Sequence, residues 1–360
     1  MSDTISAGAA LRAVLAGAWR APVGGTSQEI VAAALPLLLA GGVHGLAWRQ
    51  VAGGHDDAFR SLRQAYRQTA VAQVVHESRL QAVLTALHRA GVATLLLKGW
   101  SVARLYPGAG ARPCGDIDLA VRPDQMKLAG EVLRRLPATT AADVDLHSGV
   151  ADLDDRTWDD VCRCRRLVSL GDTEIPILGA EDQLRHLCLH LMRHGAFRPL
   201  WLCDVAVAAE TRPAAFDWNY CLHGELRLSE WVLCAFDLAR QLLDARIDEP
   251  ATHFTASPWI VQCVLHDWNA GTTGDSHMRA SLPITHYWRH PGRFLGALRD
   301  RWPNPIEAAF KMKASPRTRV PILWHQLRYA ATRALRLPAK LRRGSARQAP
   351  AFQIHEKEAA

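Results

Sequence analysis

The sequence predicts an α+β protein in which a small mixed-sheet core is embedded between an N-terminal helical region and a C-terminal helical domain. Apolar residues recur at helical spacing through residues 1–90, short apolar runs and strand-like alternation occupy residues 91–178, and helical spacing then returns. With 49% apolar and 22% charged residues among 360, the chain has globular proportions and room for more than one such region.

The N-terminal helical region, residues 1–90, contains three predicted helices. The first is short and alanine-rich, at 9–19, and the second covers 30–51 after the candidate N-cap Ser27. The third is long, at about 58–90, and ends at Gly91, a suitable C-cap.

The central segment, residues 91–178, is predicted to be the catalytic core. Its strands are expected at 92–97, 117–121 and 142–147, with a weaker hairpin over 166–177. Helices are predicted at 100–106 and 123–136.

The C-terminal helical domain is placed at residues 179–300. It begins with helical spacing over 181–210, interrupted near 195–199, and continues with helices at 228–245 and 259–270. A basic helical segment follows at 301–345, and residues 346–360 are predicted to be a disordered tail.

Basic residues are concentrated in one stretch of the chain. Residues 311–347 contain eleven Lys or Arg and no Asp or Glu, within a net charge of +8. Such a segment can make weak contact with an anionic membrane surface or an acidic partner, or can remain a solvated end. Packing of its apolar residues against the core is the preferred interpretation.

Cellular location is inferred from segments that the sequence lacks. No apolar run reaches the roughly 18 residues that a transmembrane helix needs. The first residues lack a signal-peptide pattern, and the eight cysteines form no Cys-x-x-Cys pair. A cytoplasmic protein with reduced thiols is therefore predicted.

Two carboxylates on the second strand form the candidate metal site. Asp116 and Asp118 are two residues apart, so a strand directs both side chains to one face, while Ile117 points into the core. Two adjacent carboxylates repel each other, and a divalent cation between them offsets this repulsion. Mg²⁺ prefers carboxylate oxygens as ligands. Gly115 lets the backbone approach a ligand closely. The alternative is a solvated strand end.

The third strand supplies the candidate third carboxylate. Asp143, Asp145 and His147 share one face, and Asp145 is the first choice to complete the metal site or to act as general base. Asp143 competes with it, because only the strand register separates the two. His147 can hold a phosphate, orient Asp145 or have a structural role.

A strand-to-helix turn at Lys98-Gly99 is the candidate phosphate site. Backbone N–H groups at such a turn bind phosphate, and Lys98 or Ser101 can contact phosphate oxygens. Arg112 can reach the same phosphates with its guanidinium. Ordinary turn punctuation and a solvated loop arginine are the alternatives.

Three histidines lie at four-residue intervals on one predicted helix face: His186, His190 and His194. We expect at least two of them to pack in the core. His190 is the one expected to contact nucleotide or acceptor.

These motifs together resemble the uncharacterised nucleotidyltransferase family of the DNA polymerase β-like superfamily. The resemblance extends over about residues 30–270, and it rests on Leu97-Lys98-Gly99, Tyr106-Pro107, Arg112 to Leu119, Val144 to His147, and the segment 187–204 with His190, His194, Trp201 and Asp204.

The resemblance implies transfer of a nucleoside monophosphate from a nucleoside triphosphate, with ATP expected first, to a hydroxyl or similar group. Asp116 and Asp118 would hold Mg²⁺, Asp145 would be the third carboxylate, and Gly99 would lie against the triphosphate. The sequence departs from the superfamily where Trp100, rather than serine, follows the glycine.

The acceptor is expected to be a small molecule, a sugar or a peptide in a biosynthetic pathway. Two other functions remain open: a catalytically decayed nucleotide-binding or regulatory protein on the same fold, and a transferase acting on nucleic acid. The nucleic-acid function ranks last, because no aromatic residues interleave with the basic run in a stacking pattern.

Overall fold

A computed structural model describes residues 6–20, 27–51, 57–153, 155–248, 253–270, 302–344 and 353–355. The four N-terminal helices are α1 (Ala7–Leu15), α2 (Gln28–Ala40), α3 (His44–Val51) and α4 (Asp57–Arg89). The single helix predicted over 30–51 is thus two helices, because Gly42 adopts φ +72° and turns the chain between them. The predicted Ser27 cap is confirmed, since its hydroxyl accepts a hydrogen bond from the N–H of Ile30.

The central segment forms the predicted strands and the two predicted helices, and it contains two further short helices that the sequence did not predict. In chain order its elements are β1 (Thr94–Leu96), α5 (Trp100–Ala103), β2 (Ile117–Val121), α6 (Met126–Arg135), α7 (Ala138–Ala141), β3 (Val144–Ser148), α8 (Trp158–Arg163), β4 (Arg166–Leu170) and β5 (Thr173–Ile177). The two helices that were not predicted are α7 and α8.

Helices follow the core, as predicted. They are α9 (Ala180–Arg193), α10 (Pro199–Glu210), α11 (Trp218–Leu222), α12 (Leu226–Leu243), α13 (Pro258–Asn269), α14 (Pro305–Lys311) and α15 (Ile322–Gly344). The predicted interruption between α9 and α10 is present. Gly195 has φ +82° there, and Pro199 begins α10. In the part of the chain that the structure describes, no helix is both long enough and apolar enough to cross a membrane.

The strands form one mixed sheet, which confirms the predicted α+β class. Its order is β4-β5-β1-β2-β3-β6, where β6 is Gln353–His355. β1 is antiparallel to β2 and parallel to β5, β2 is parallel to β3, and β3 is parallel to β6. The strand with Asp118 is therefore central, with the strand of Asp145 beside it.

The two faces of the sheet belong to two hydrophobic clusters. One face packs against the second half of α4 and against α6, through residues such as Leu84, Leu133 and Leu119. The other cluster contains Leu95 and Leu97 of the β1 region together with apolar residues of the helices on both sides of the core in sequence. The helical regions before and after the core thus share one hydrophobic interior.

The strand β6 corrects the prediction of a disordered tail at 346–360. Gln353–His355 pairs with the outer edge of β3. Without this pairing, the backbone N–H and C=O groups on that edge would have no strand partner among the described residues. The remainder of the predicted tail lies outside the described residues.

Candidate active site

The alternation of β2 separates its apolar and its acidic side chains. Ile117, Leu119 and Val121 lie in the cluster formed with α4 and α6, as predicted. Asp118 projects from the opposite face, and its side chain is only 1% exposed. A carboxylate so fully removed from water requires a compensating partner.

The register between β2 and β3 brings two carboxylates together. Asp118 is the direct neighbour of Asp145 on the parallel strand, so the register favours Asp145 over Asp143 as third carboxylate. Asp143 instead lies just before β3, near α4, where Arg79 Nη1 is 2.5 Å from its Oδ2. Both of these side chains are substantially exposed.

His147 completes a three-residue cluster with the two carboxylates. Its Nε2 lies 3.5 Å from Asp118 Oδ1 and 3.5 Å from Asp145 Oδ2. One possible ligand atom from each residue lies within 4.8 Å of the others. Asp118 Oδ2 is buried and has no hydrogen-bond partner among the described residues. This donor set, with an unsatisfied buried oxygen, fits a divalent cation.

Lys98 supplies positive charge to the cluster. Its ammonium forms an ion pair with Asp118 Oδ1. Burial by itself would raise the pKa of Asp118, but Lys98 and His147 outweigh burial and hold that pKa well below its usual range. Burial would lower the pKa of Lys98, yet Asp118, Asp116 and Asp145 together raise it.

His147 is charged by the same arrangement. Burial would lower its pKa, but hydrogen bonding to Asp118 and Asp145 raises it to about 9. Without a metal ion, two cationic side chains therefore neutralise the carboxylate pair at neutral pH.

Asp116 and Gly115 lie at the exposed entrance of this cluster, immediately before β2. Asp116 does not belong to the three-residue cluster, although its charge raises the pKa of Lys98. A Cβ added to Gly115 would meet no atom within 4 Å, so the space above this glycine is open.

The turn after β1 brings the backbone at Gly99 against the backbone at Asp116. Gly99 has φ +66° and ψ −115°, a conformation that L-residues rarely adopt. A Cβ at this position would lie 3.3 Å from the carbonyl oxygen of Asp116. Glycine is thus needed both for the turn and for the close approach.

The two residues after Gly99 have structural partners. Trp100 is buried, and its indole N–H donates a 2.9 Å hydrogen bond to Glu77 Oε1 on α4. Ser101 is also buried, and its hydroxyl accepts a hydrogen bond from Gln183 of α9. The turn is therefore held by α4 on one side and by α9 on the other. The hydroxyl of Ser101 is not directed to solvent.

Replacing Gly99 by alanine is expected to lower the free energy of unfolding by about 1–3 kcal/mol, because the left-handed backbone and the contact with Asp116 both disfavour a Cβ. Gly115→Ala is the matched control, since that glycine has open space and no positive φ. Chemical denaturation of the two variants measures the difference. Equal stabilities would contradict this account of the turn.

Arg112 is buried and is held by Asp204 of α10. Its Nε and Nη2 donate to the two oxygens of Asp204 at 2.6 and 2.7 Å, and its Nη1 donates to the carbonyl of Pro113. Tyr106 donates a further hydrogen bond to Asp204. Burial would lower the pKa of Arg112, but Asp204 raises it above its usual value.

The guanidinium of Arg112, for which a phosphate contact was expected, therefore makes its hydrogen bonds to Asp204 and to the carbonyl of Pro113. It connects the loop before β2 to the helical domain instead. The motif around Arg112 and the Trp201-Leu-x-Asp204 segment, far apart in sequence, are two halves of one buried ion pair.

The histidine stripe of α9 packs around a carboxylate that sequence reasoning missed. Asp152, in a short 3₁₀ turn after β3, lies 3.5 Å from His186 Nδ1 and 3.4 Å from His190 Nδ1, and forms an ion pair with Arg193. Burial would raise the pKa of Asp152, but Arg193 and the histidines hold it well below its usual range. Asp152 belongs to no periodic pattern, so the sequence gives no signal for it.

The three histidines differ in their surroundings. His186 is buried, and burial lowers its pKa to about 3, so this imidazole is neutral. Its pKa also responds to the charges of Lys98 and Asp118, which indicates that the stripe begins near the carboxylate cluster. His190 and His194 are less buried, and their ring centroids lie 5.0 and 5.5 Å from that of Trp201.

Comparison with known protein families gives one result for this chain. Residues 31–244, more than half of the chain, match the model of the family described as uncharacterised nucleotidyltransferase. The chain belongs to this family, and its family membership indicates a general role in nucleotidyl transfer. No curated protein and no solved structure matches it.

Proposed function

We propose that this protein is a Mg²⁺-dependent nucleotidyltransferase that moves a nucleoside monophosphate from a nucleoside triphosphate to a hydroxyl or similar group. The acceptor is a small molecule, a sugar or a peptide. The observation that carries this proposal is the direct pairing of Asp118 with Asp145 on adjacent parallel strands, with His147 beside both.

The residues have distinct roles in the proposed reaction. Asp118 and Asp145 hold Mg²⁺ from inside the sheet, and Asp116 contributes from the exposed entrance. A Mg²⁺ ion held by these residues would supply positive charge to the phosphates and would favour deprotonation of the attacking hydroxyl. His147 fixes the orientation of both carboxylates, since its Nε2 is equally distant from them.

The turn at Gly99 is proposed to receive the triphosphate, with ATP as the first candidate. Gly99 carries no side chain that would obstruct a phosphate, and Lys98 provides a cation on a flexible stem. Phosphoryl transfer depends mainly on charge neutralisation and in-line positioning, which these groups can supply. His190 is proposed to contact the nucleotide or the acceptor from α9.

Lys98 and a divalent cation are proposed to compete for Asp118. A cation held by the carboxylates would repel the ammonium of Lys98, which would then be available to pair with the phosphates of the nucleotide. Lys98→Met is therefore expected to bind Mg²⁺ about tenfold more tightly, a gain of about 1.4 kcal/mol, while its affinity for the triphosphate falls. Calorimetric titration with Mg²⁺ alone, and then with nucleotide, measures both changes.

The same variant has a metal-dependent stability. Without Mg²⁺ it leaves the buried carboxylate of Asp118 without its principal partner, so its melting temperature should fall and should recover when Mg²⁺ is added. Lys127→Met, a change of an exposed lysine on α6, is the control. An unchanged Mg²⁺ affinity in Lys98→Met would contradict the competition.

The proposed activity is tested with triphosphates labelled at the α or the γ position. The protein, Mg²⁺ and each nucleotide are incubated with pools of hydroxyl-bearing small molecules, sugars and peptides. Nucleotidyl transfer releases pyrophosphate and leaves the α label on the acceptor. Transfer of the γ label alone would identify a kinase-type reaction, and tight nucleotide binding without turnover would support a regulatory function. Either result would overturn the proposal.

A further inference from the structure

Helix α15 presents an apolar face to solvent. Leu323 and Leu327 are 56% and 46% exposed, and Trp324 beside them is 55% exposed. Leu335, two turns further along, is 80% exposed. Because helical residues three, four or seven apart lie on the same side, these positions form one continuous stripe, with the exposed Ala331 and Ala334 between them.

The opposite face of α15 is polar and packs on the protein. His325 and Gln326 are buried, and the amide of Gln326 donates a 2.7 Å hydrogen bond to the carbonyl of Pro303. Tyr329 donates a 2.8 Å hydrogen bond to Glu307 of α14. The helix is therefore oriented in reverse of an ordinary surface helix, whose apolar stripe faces the core. Exposure of these large apolar side chains to water is unfavourable. A surface that covered them would remove this unfavourable exposure.

The segment of the chain that contains α15 carries positive charges only. Within 311–347 the sequence contains eleven Lys or Arg and no acidic residue. Among the side chains that the structure describes there, Arg317, Arg319, Arg328 and Arg333 are exposed. An apolar stripe with a tryptophan, on a segment whose charged residues are all cations, complements the surface of an anionic bilayer, where acyl chains lie beneath negative headgroups.

We propose that α15 docks the protein on an anionic membrane surface, parallel to the bilayer plane, with Leu323, Trp324, Leu327 and Leu335 inserted at the headgroup boundary. The exposed arginines contact the lipid headgroups. An acidic protein is the less favoured occupant, since charge contact alone does not use four exposed apolar side chains.

Flotation with lipid vesicles tests the docking. The full-length protein is mixed with vesicles of phosphatidylcholine alone, or of phosphatidylcholine with phosphatidylglycerol, at low and high salt. Binding is expected only to the anionic vesicles and should weaken as salt screens the arginines. Leu323→Gln combined with Leu327→Gln should reduce partitioning about tenfold or more, because the insertion of apolar surface is lost.

Matched controls separate this site from general stickiness. Leu226→Gln alters a leucine that is 77% exposed at the start of α12, and Arg163→Gln alters an exposed arginine of α8. Both should bind as the parent does, whereas Arg328→Gln with Arg333→Gln should bind more weakly. All the changes are at the surface, so melting temperatures should stay close to the parent value.

Three outcomes would overturn the proposal. The first is failure of the parent protein to float with anionic vesicles. The second is unchanged flotation of the double leucine variant with loss in the double arginine variant, which would indicate an electrostatic site for an acidic partner. The third is a concentration-dependent dimer that the leucine changes abolish, without any vesicle binding.

Discussion

Asp118→Asn should reduce nucleotidyl transfer by about a thousandfold or more, a loss of about 4 kcal/mol of transition-state stabilisation. The physical reason is that Asp118 is the buried member of the carboxylate pair and the direct neighbour of Asp145 across the parallel strands. An amide removes the negative charge while it keeps the shape. Pyrophosphate release under single-turnover conditions, together with Mg²⁺ titration, measures the loss.

Asp143→Asn is the matched control for this experiment. It lies one residue before β3 and contacts Arg79 at the sheet edge, so it should retain most of the parent activity. Because Asp118→Asn removes the ion-pair partner of the buried Lys98 ammonium, the double variant Asp118→Asn/Lys98→Met is included to preserve the fold. Full activity in a folded Asp118→Asn protein would eliminate this residue as a metal ligand.

Asp204→Ala should be the most destabilising of the changes considered, lowering the free energy of unfolding by about 3–5 kcal/mol. The substitution leaves the guanidinium of Arg112 buried and uncompensated, and it removes the acceptor of the Tyr106 hydroxyl. Breaking one member of a buried ion pair costs more than replacing both. Chemical denaturation measures the difference.

The double variant Arg112→Met/Asp204→Leu distinguishes this cause from a packing defect, because it should recover most of the lost stability. Asp124→Asn disrupts the exposed pair with Arg122 and should leave the stability close to that of the parent protein, because solvent screens an exposed pair. If Asp204→Ala lowered the stability no more than the surface control does, Arg112 would not depend on Asp204. A phosphate contact for Arg112 would then be favoured.

The strand β2 was predictable from the sequence, whereas the partner of Arg112 was not. Alternation identified β2 with its bounds, and it placed Ile117 and Asp118 on opposite faces, because strand geometry is local. The choice between Asp143 and Asp145 depends on the pairing of β2 with β3, two strands that are separated in sequence by α6 and α7. Register is a tertiary property, so the residues alone left both open.

Contacts between residues that are distant in sequence likewise could not be predicted from local sequence patterns. The sequence places Arg112 in a loop where it is predicted to contact phosphate, with a solvated arginine as the alternative, since nothing local to it predicts a buried carboxylate on α10. The sequence predicts no role for Asp152, which lies in an acidic loop. In the structure, Arg193 and two histidines of α9 surround its carboxylate. The apolar residues of α15 were expected to pack inward. The structure turns the polar side of that helix inward instead, because His325 and Gln326 occupy the protein-facing positions.

The pairing of β6 with β3 links the completion of the six-stranded sheet to the order in which the chain is synthesised. Asp145 and His147 lie on a strand whose outer neighbour, Gln353–His355, leaves the ribosome long after β3 does. During translation that edge remains without its strand partner, and contacts between residues so distant in sequence form late and slowly. The nascent chain therefore passes through a stage in which its carboxylates are already made but the sheet that holds them is incomplete.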